Sequence, residues 1–356
     1  MTELTRASLA GALDRGIAFL LRQQAAAGTW TDFLLPAGQS DRWVTGYVGS
    51  VLAGLADPAA RRAALAAWGR LEQLAGAAGG WSYNAAVPGD ADSTLWCLRL
   101  AHQLGHDDRA AARAATRFLD THVRDDGGLA TYATADHIRG YLGVLPERAF
   151  DGWLQAHVCV SGAGAHLPGY RARLRPYLTR HQEAAGHWRS YWWFADEYAT
   201  CEAATALADT EHERVARAAA WAGERVRRLC ASEHAQPPAF ALALALRVLV
   251  RAPRSSPDDR DVTLGLQRLL DWQTATGAWP RSARLRVPRP DAIEPSGPDV
   301  APGQPAWRLW RGLPPGPPTP ELIWQYTFTT YSLDYTSVFT TATVLRALHE
   351  LAQVTR

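Results

Sequence analysis

Two aspartates, Asp90 and Asp92, stand one residue apart where the chain leaves a Gly-Gly-Trp turn and enters an apolar helical run. Carboxylates this close together repel each other when both are ionised, so one of them holds its proton above its ordinary pKa. A carboxyl of this kind is suited to general acid catalysis, in which it donates a proton to a reacting atom. For Asp90 a helix N-cap is the alternative interpretation, because carboxylates are favoured at helix N-termini.

Aromatic side chains are the second group that could take part in chemistry, since their faces attract positive charge and can stabilise a carbocation. The chain has 15 Trp, 11 Tyr and 8 Phe, and so much Trp requires a very aromatic core or an aromatic-lined cavity. We expect about half of the candidates to line such a cavity. The candidates are Trp43, Tyr47, Tyr83, Trp96, Trp153, Tyr191, Trp192, Trp193, Tyr198, Trp324, Tyr326, Phe328, Tyr331 and Phe339.

A repeated turn organises the chain that carries these residues. The full pattern, Gln-x3-Gly-x-Trp, begins at Gln24, Gln182 and Gln273, and weaker copies end at Trp81 and Leu129. The copies fall about fifty residues apart, which predicts six units, one of them eroded near residue 235. We expect the Gln amide to satisfy backbone groups at a helix end while the Trp ring stacks over it, so that these Trp residues are structural.

Each turn separates two kinds of helix. The helices before the turns are amphipathic, with Arg and Glu on one face, as in residues 112–123 and 212–230. The helices after the turns are apolar and rich in small residues, and no alternating strand pattern competes with them. One wet and one dry helix per unit predict two concentric rings, a single all-α (α/α)6 barrel over residues 1–356. We expect inner helices at 43–55, 94–104, 153–166, 198–207, 238–250 and 335–351.

Proline and glycine are concentrated in residues 287–318, between the last turn and the last inner helix. A long irregular segment inside a compact domain is usually a lid or a wrapped loop. We therefore expect this segment to close one mouth of the barrel.

The composition excludes several classes of function. A formal net charge of +2 over 356 residues gives no reason to expect a nucleic acid partner. The chain has no lysine, which excludes a lysine Schiff base and the lysine of a phosphate-binding loop. The apolar run at 241–250 is too short to span a membrane, although peripheral membrane contact and a monomer or a homodimer stay open.

The cysteines and the N-terminal sequence indicate the compartment. Four isolated cysteines form no Cys-x-x-Cys pair, and we expect them to be reduced, small apolar residues of a cytoplasmic protein. The N-terminal residues lack the basic and apolar regions of a signal peptide, which agrees with that location.

The acids and the turns together resemble the class II terpene cyclases of the squalene–hopene type. The acid motif of that family reads Asp-x-Asp-Asp-Thr after a Gly-Gly-Trp turn, and residues 90–94 read Asp-Ala-Asp-Ser-Thr, with Ser93 in place of the last Asp. The Gln-x3-Gly-x-Trp copies resemble the QW motif of triterpene cyclases, over essentially the whole chain. The segment around His157 resembles the Ala-His-Val segment of the family, one repeat further along.

This resemblance implies a function and a set of roles. Asp92 would donate the proton that starts cyclisation of an isoprenoid or prenylated small molecule, a small hydrophobic substrate. Asp90 and His157 would tune its acidity, with His157 as the hydrogen-bond partner of Asp92. A histidine buried in the core with its hydrogen bonds satisfied is the alternative for His157.

Two other functions stay open at this point. The first is acid/base cyclisation, isomerisation or hydrolysis of a non-terpene metabolite on the same barrel, which the Ser at position 93 favours. The second is a non-catalytic barrel that only binds a ligand.

Three missing motifs narrow the chemistry further. The sequence has no aspartate-rich DDxxD segment for metal-triggered loss of diphosphate, and no Gly-rich phosphate loop. It also has no Asp-x-Cys followed by a matching His, the zinc-binding pattern of the related protein prenyltransferase barrel. We therefore predict an enzyme that uses neither a metal nor another cofactor.

Overall fold

The protein is mainly helical, and along the chain helices with one solvent-exposed face alternate with buried helices. The computed structural model describes residues 3–35, 37–143, 145–231, 236–252, 259–294 and 330–354. In chain order the elements are α1 (Glu3–Gln23), β1 (Asp32–Leu35), β2 (Gly38–Ser40), α2 (Arg42–Ala53), α3 (Pro58–Gln73), α4 (Ala91–Leu104), α5 (Ala110–Asp120), α6 (Asp136–Leu142), α7 (Asp151–Leu154), α8 (Val158–Gly164), α9 (Arg171–Arg180), α10 (Asp196–Leu207), α11 (His212–Ala231), α12 (Ala239–Leu249), α13 (Asp259–Asp271), β3 (Arg284–Val287), β4 (Thr330–Leu333) and α14 (Val338–Val354).

Six buried helices, α2, α4, α8, α10, α12 and α14, form a closed inner ring. Each packs on the next in chain order, and α14 packs on α2 to complete the circle. The outer helices α3, α5, α9, α11 and α13 each pack on the inner helix that precedes them, while α1 packs on α14. The predicted (α/α)6 barrel is confirmed.

Small residues let the inner helices approach one another closely. A Cβ atom added at Gly46 of α2 would lie 2.9 Å from the backbone nitrogen of Cys97 in α4. A Cβ atom added at Gly162 of α8 would lie 3.0 Å from the backbone nitrogen of Ala203 in α10. The ring can therefore close at this diameter only with residues of minimal volume at these contacts.

The glutamine of each full repeat joins neighbouring outer helices. The Gln273 amide donates to the carbonyl of Gly277 in its own turn at 3.0 Å and to that of Ala12 in α1 at 2.9 Å. Gln24 makes the same pair of bonds to its own turn and to α3, and Gln182 to its own turn and to α11. Gln273 thus ties the last outer helix to the first.

The tryptophan of each repeat ties its turn to two helices at once. The indole N–H donates to the carbonyl ten residues earlier, and the backbone N–H donates to a threonine hydroxyl on the following inner helix. The same two bonds recur in four repeats, whose tryptophans are fully buried. They are Trp30 with Leu20 and Thr45, Trp81 with Leu71 and Thr94, Trp188 with Leu178 and Thr200, and Trp279 with Leu269 and Thr341.

The predicted inner helix at 153–166 is wrong in its first part. The chain is extended at His157, with φ −121° and ψ 135°, so α8 begins only at Val158. The backbone N–H of His157 donates to the carbonyl of Leu129 at 2.9 Å, and Ala156 pairs with Ala130. This pairing with the preceding turn holds the segment out of the helix and leaves Trp153 in the short separate helix α7.

Short strand pairings at the barrel mouth are a feature for which the sequence showed no pattern. β1 pairs with β2 and β3 pairs with β4, both antiparallel. Residues 192–194 extend the second sheet, because Trp193 bridges Leu285 and the backbone N–H of Arg286 donates to the carbonyl of Trp192 at 2.7 Å. Each pairing is too short to leave a clear alternating pattern in the sequence.

Two predicted features lie largely outside the described residues. The proposed lid at 287–318 is described only as far as residue 294, and the eroded repeat near 235 falls at residues 232–235. Both stay predictions. Among the described helices, none combines the length and the apolar character that crossing a membrane requires.

We expect Gln273→Ala, in the turn after α13, to destabilise the fold more than a change of a surface glutamine on α13 itself. It removes four hydrogen bonds, two that the amide donates to the carbonyls of Ala12 and Gly277 and two that its oxygen accepts from Arg15 of α1. The expected cost is about 1–3 kcal/mol in the free energy of unfolding, measured by urea denaturation. Gln267→Ala is the control, because its amide bonds only to the exposed Asp271. Equal losses in the two variants would contradict a ring-closing role.

Candidate active site

Asp90 lies at the start of α4 and is held by Ser93. It is the N-cap residue of the helix, with extended backbone angles of φ −138° and ψ 160°. Its Oδ1 accepts from the backbone N–H of Ser93 at 2.7 Å, and its Oδ2 accepts from the Ser93 hydroxyl at 2.7 Å. Burial raises the pKa of Asp90 to about 6, against the effect of these two hydrogen bonds. Asp90 is therefore a cap and also an acid that is mostly ionised at neutral pH.

Asp92 lies in the first turn of the same helix and is half-buried. Within the described part of the chain, its carboxyl makes no hydrogen bond of normal length. Burial raises its pKa well above the usual value, and the charges of Asp90 and Glu202 raise it further. The nearby indole N–H of Trp43 and the charge of Arg99 oppose that rise. Asp92 is thus a carboxyl that holds its proton more tightly than an ordinary aspartate, with the indole N–H of Trp43 as a nearby donor.

His157 does not contact Asp92, and the predicted hydrogen bond between them is wrong. Its Nδ1 lies 3.1 Å from the Thr131 hydroxyl and its Nε2 lies 2.8 Å from the carbonyl of Gly152. Burial lowers the pKa of His157 to about 3, so the ring is neutral, donates from Nε2 and accepts at Nδ1. The extended backbone at residue 157 places the ring beside the preceding turn instead of on the inner helix.

Thr131 links the histidine to the acid-bearing helix. Its hydroxyl accepts from the indole N–H of Trp192 at 2.7 Å and donates to His157. Its backbone carbonyl accepts from the N–H of Ala91, the residue between the two aspartates, at 2.9 Å. His157 therefore reaches the acid only through Thr131 and the backbone of α4.

A cluster of aromatic side chains fills the mouth of the barrel around Trp193. The Trp193 ring contacts rings from β1, α2, α10, α12 and α14, with centroid distances from 4.7 to 6.0 Å. The neighbours are Phe33, Trp43, Tyr198, Phe240 and Phe339, and each of them, like Trp193, is at most 2% exposed. Trp193 thus rests at the centre of the mouth, held there by the pairing of residues 192–194 with β3.

Tyr47 and Trp96, both predicted from the sequence, extend this cluster along the inner helices α2 and α4. Tyr47 stacks on Phe339 with centroids 3.9 Å apart, and its hydroxyl lies 2.7 Å from that of Thr343. The Trp96 indole donates to the Tyr198 hydroxyl at 3.2 Å and meets the Tyr47 ring edge to face. The structure thus brings together Trp43, Tyr47, Trp96, Trp193, Tyr198 and Phe339 from the sequence-based set.

The other predicted aromatic residues lie at the rim or outside the described part of the chain. Tyr83 stacks on Trp43, Tyr191 stacks on His157, and Trp153 packs on Trp192. Trp324, Tyr326 and Phe328 lie outside the described residues, and Tyr331 is described only as part of β4. For these four side chains the predicted role stays a prediction.

Comparison with known proteins identifies the family. No family model matches the sequence, and a search of curated proteins found no match. A variant of the type II terpene cyclase MstE from Scytonema, in complex with its substrate geranylgeranyl dihydroxybenzoate, is 33% identical, with 99% of each chain covered and a TM-score of 0.87. The chain belongs to the type II terpene cyclases. This type II terpene cyclase also matches a protein from Actinoplanes, at 34% identity over 97% of this chain and 99% of that one, with a TM-score of 0.82.

A more distant likeness concerns the fold alone. An ent-copalyl diphosphate synthase from Streptomyces platensis is 19% identical, with 87% of this chain and 50% of that chain covered and a TM-score of 0.56. By contrast, the MstE match covers 99% of both chains. Membership of the family favours cyclisation over the non-terpene chemistry and the ligand-binding barrel that the sequence had left open.

Beneath the aromatic cluster, this type II terpene cyclase buries a network of charges. Glu202 of α10 accepts from Arg99 of α4 at 2.7 Å and from Arg247 of α12 at 3.2 Å. Arg247 also donates to Glu350 of α14 at 3.2 Å. The network joins four inner helices, and the charge of Glu202 helps to keep Asp92 protonated.

Sequence reasoning missed this network and two aromatic residues, Phe33 and Phe240. A usable signal existed for the network, because Arg99, Glu202 and Arg247 are single charges inside apolar helical runs. For Phe33 no signal existed, since it reaches the mouth through a positive φ of 49° in the irregular part of the β1–β2 hairpin.

A second pair of buried aspartates secures the start of α14. Asp32 accepts from four backbone N–H groups, those of Phe33, Tyr335, Thr336 and Phe339. Asp334 accepts from the backbone of Ala283 at 3.1 Å and of Thr340 at 3.2 Å. Burial, together with the charge of Asp32, raises the pKa of Asp334 to about 8.

We expect the contribution of Asp334 to the free energy of unfolding to fall as the pH rises from about 4 to about 8. Asp334 is protonated in the folded protein over this range but ionised in the unfolded chain, so rising pH favours unfolding until the folded pKa is passed. Urea denaturation at about pH 5 and about pH 8 measures the slope. Asp334→Asn, which cannot ionise, should lose this contribution, so that its free energy of unfolding falls less, or rises more, with pH than that of the wild type.

Asp136→Asn is the control for this prediction, because Asp136 lies exposed in the first turn of α6. It should leave the pH dependence of stability unchanged. A wild-type slope in Asp334→Asn would show that the pH dependence arises elsewhere.

Proposed function

We propose that this protein cyclises a prenylated small molecule by protonating one of its double bonds, with Asp92 as the general acid. A single observation carries the assignment of the acid. Of the two neighbouring aspartates, Asp90 accepts two hydrogen bonds from Ser93, whereas Asp92 is half-buried, protonated and without a hydrogen bond of normal length to the described residues. A catalytic acid has to hold its proton at rest and present it to the substrate, and Asp92 meets both requirements.

Asp90 and His157 support the acid in different ways. The negative charge of Asp90 keeps the proton on Asp92, because two adjacent ionised carboxylates repel. His157 positions the start of α4 through Thr131, whose carbonyl accepts from the backbone N–H of Ala91. His157 is therefore a positioning residue in this proposal and not a proton donor.

The aromatic cluster supplies the environment that a carbocation needs. The faces of Trp43, Trp193 and Phe339 exclude water and attract positive charge. Because these rings pack on one another with at most 2% exposure, a substrate that touches their faces has to displace Trp193 from the centre of the cluster. Trp193 is thus the aromatic residue whose replacement should alter the shape of the cavity most.

The substrate class follows from the relatives. MstE has been captured with geranylgeranyl dihydroxybenzoate as substrate and with merosterolic acid A as product. We propose a substrate of the same kind for this chain, an isoprenoid chain attached to a small aromatic acid. The reaction is proposed to take place in one barrel domain over residues 1–356, which the match over 99% of both chains supports. The segment 287–318 is proposed as its lid from the sequence alone.

We also propose a cellular location and an oligomeric state for the enzyme. All four cysteines are free and buried, which suits a reducing compartment such as the cytoplasm. A monomer or a homodimer, with peripheral membrane contact for a hydrophobic substrate, agrees with the absence of a membrane-crossing helix among the described residues.

We expect Asp92→Asn to abolish turnover while leaving the fold and substrate binding nearly intact. Asparagine keeps the shape of aspartate but has no acidic proton to give. The loss of turnover should be at least about 10²–10⁴-fold. The measurement is product formation from geranylgeranyl dihydroxybenzoate, followed by chromatography and mass spectrometry, with circular dichroism to verify folding.

Asp125→Asn serves as the control, because Asp125 lies exposed in a turn between α5 and α6. Wild-type turnover in Asp92→Asn would exclude protonation by this residue. His157→Ala should reduce turnover less than Asp92→Asn does, because it only loosens the position of α4.

We expect Trp193→Leu to change the ratio of cyclised products. The same change at another buried tryptophan should lower stability without changing that ratio. Leucine keeps apolar volume but removes the π face from the centre of the cluster. Trp68→Leu is the matched control, since Trp68 is equally buried but lies on outer helix α3. It should lower the melting temperature and leave the products unchanged. An unchanged product ratio in Trp193→Leu would assign Trp193 to the core.

A further inference from the structure

The two aspartates at the start of α4 differ in what the protein donates to them. Ser93 donates to both oxygens of Asp90, from its backbone N–H and from its hydroxyl, each at 2.7 Å. Asp92 receives neither bond, although it lies between these two residues in the chain. Ser93 is 2% exposed and Asp90 is 5% exposed, so water does not compete for these bonds.

Capping of the helix does not by itself require the Ser93 hydroxyl. Asp57 caps α3 in the same way, and its Oδ1 accepts from the backbone N–H of Ala60 at 2.7 Å. The residue at the equivalent position there is alanine, which has no hydroxyl to give. The second bond to Asp90 is therefore additional to the cap, and it acts on the second oxygen of the carboxylate.

We propose that Ser93 is the positioning residue that determines which of the two aspartates carries the catalytic proton. This inference rests on the proposed function, in which Asp92 is the acid. By donating to both oxygens, Ser93 stabilises the ionised form of Asp90. The proton shared by the pair then stays on Asp92, which receives neither of the two bonds from Ser93.

A serine suits this task because its hydroxyl can donate at any pH in the working range. A carboxyl side chain at position 93 would donate to Asp90 only while protonated, and would add a third negative charge once ionised. The hydroxyl therefore keeps Asp90 ionised without introducing another group that titrates. Ser93 thus stands where the family motif has an aspartate, and in this proposal its hydroxyl has a function of its own.

The test replaces the hydroxyl while keeping the backbone donor. In Ser93→Ala we expect the titration of Asp90 to move upwards by about 1–2 pH units, because one hydrogen bond to the ionised form is lost. The titration of Asp90 is followed by NMR of the side-chain carboxyl carbon in protein labelled at aspartate. The variant Asp90→Asn assigns the signal. Part of the proton then moves to Asp90, and kcat with geranylgeranyl dihydroxybenzoate should fall about tenfold. KM should stay within about twofold, since Ser93 does not face the substrate.

Two further variants separate this role from a structural one. Ser93→Thr keeps the hydroxyl and should restore both the Asp90 titration and kcat. Ser161→Ala removes another fully buried serine hydroxyl. Ser161 lies on inner helix α8, and its hydroxyl accepts from the backbone N–H of Leu129. This variant should lower stability without moving the titration of Asp90 or the pH profile of turnover.

The outcomes also separate this inference from the proposed function. If Asp92→Asn is inactive but Ser93→Ala has the wild-type Asp90 titration and pH profile, the role of Ser93 is refuted and the acid stands. If Asp92→Asn retains wild-type turnover, the proposed function itself fails. If Ser93→Ala loses activity only in proportion to its loss of folded protein, Ser93 is a structural residue and the inference is wrong.

Discussion

The hydrogen bonds of the repeated turn are the interaction on which the rest of this protein depends. Each recurring pair of bonds, from a tryptophan indole to its own helix and from its backbone to the next inner helix, fixes the angle between an outer and an inner helix. A ring of six pairs closes only if these angles add up, and Gln273 makes the last connection, from α13 to α1. The convergence of the inner helix N-termini at one mouth, where the acids lie, follows from that closure.

Burial inside the ring shifts the pKa values of three groups near the mouth. The same cause, removal of water, raises the pKa of Asp92 and of Asp334 and lowers that of His157. The charges that remain, Arg99, Glu202, Arg247 and Glu350, are paired with one another, which offsets part of the cost of burying them. The interior is therefore apolar and aromatic at the mouth and ionic below it, with Asp92 between the two zones.

The sequence was sufficient for features that depend on local pattern. The alternation of wet and dry helices gave the barrel, the Gln-x3-Gly-x-Trp copies gave its turns, and the position of Asp90 at a helix start predicted the cap. Features that depend on pairing between distant segments were not predictable. The helix expected at 153–166 is broken because His157 pairs with Leu129, and Trp193 occupies the mouth because it pairs with Leu285. Neither partner can be identified from the spacing of the residues themselves.

The two aspartate pairs at the mouth show how one electrostatic arrangement serves two purposes. In each pair one carboxylate takes most of the donors, four backbone N–H groups for Asp32 and the two groups of Ser93 for Asp90, and its neighbour has a raised pKa. The neighbours differ in what engages them. Asp334 is fully buried and both its oxygens accept backbone N–H groups, so its carboxyl holds Ala283, just before β3, to the start of α14. Asp92 is half-buried and no described residue holds its carboxyl by a normal hydrogen bond, which leaves its proton available to a substrate. In the proposed mechanism, the difference between the structural acid Asp334 and the catalytic acid Asp92 is therefore set by hydrogen-bond occupancy and access, because the raised pKa is common to both.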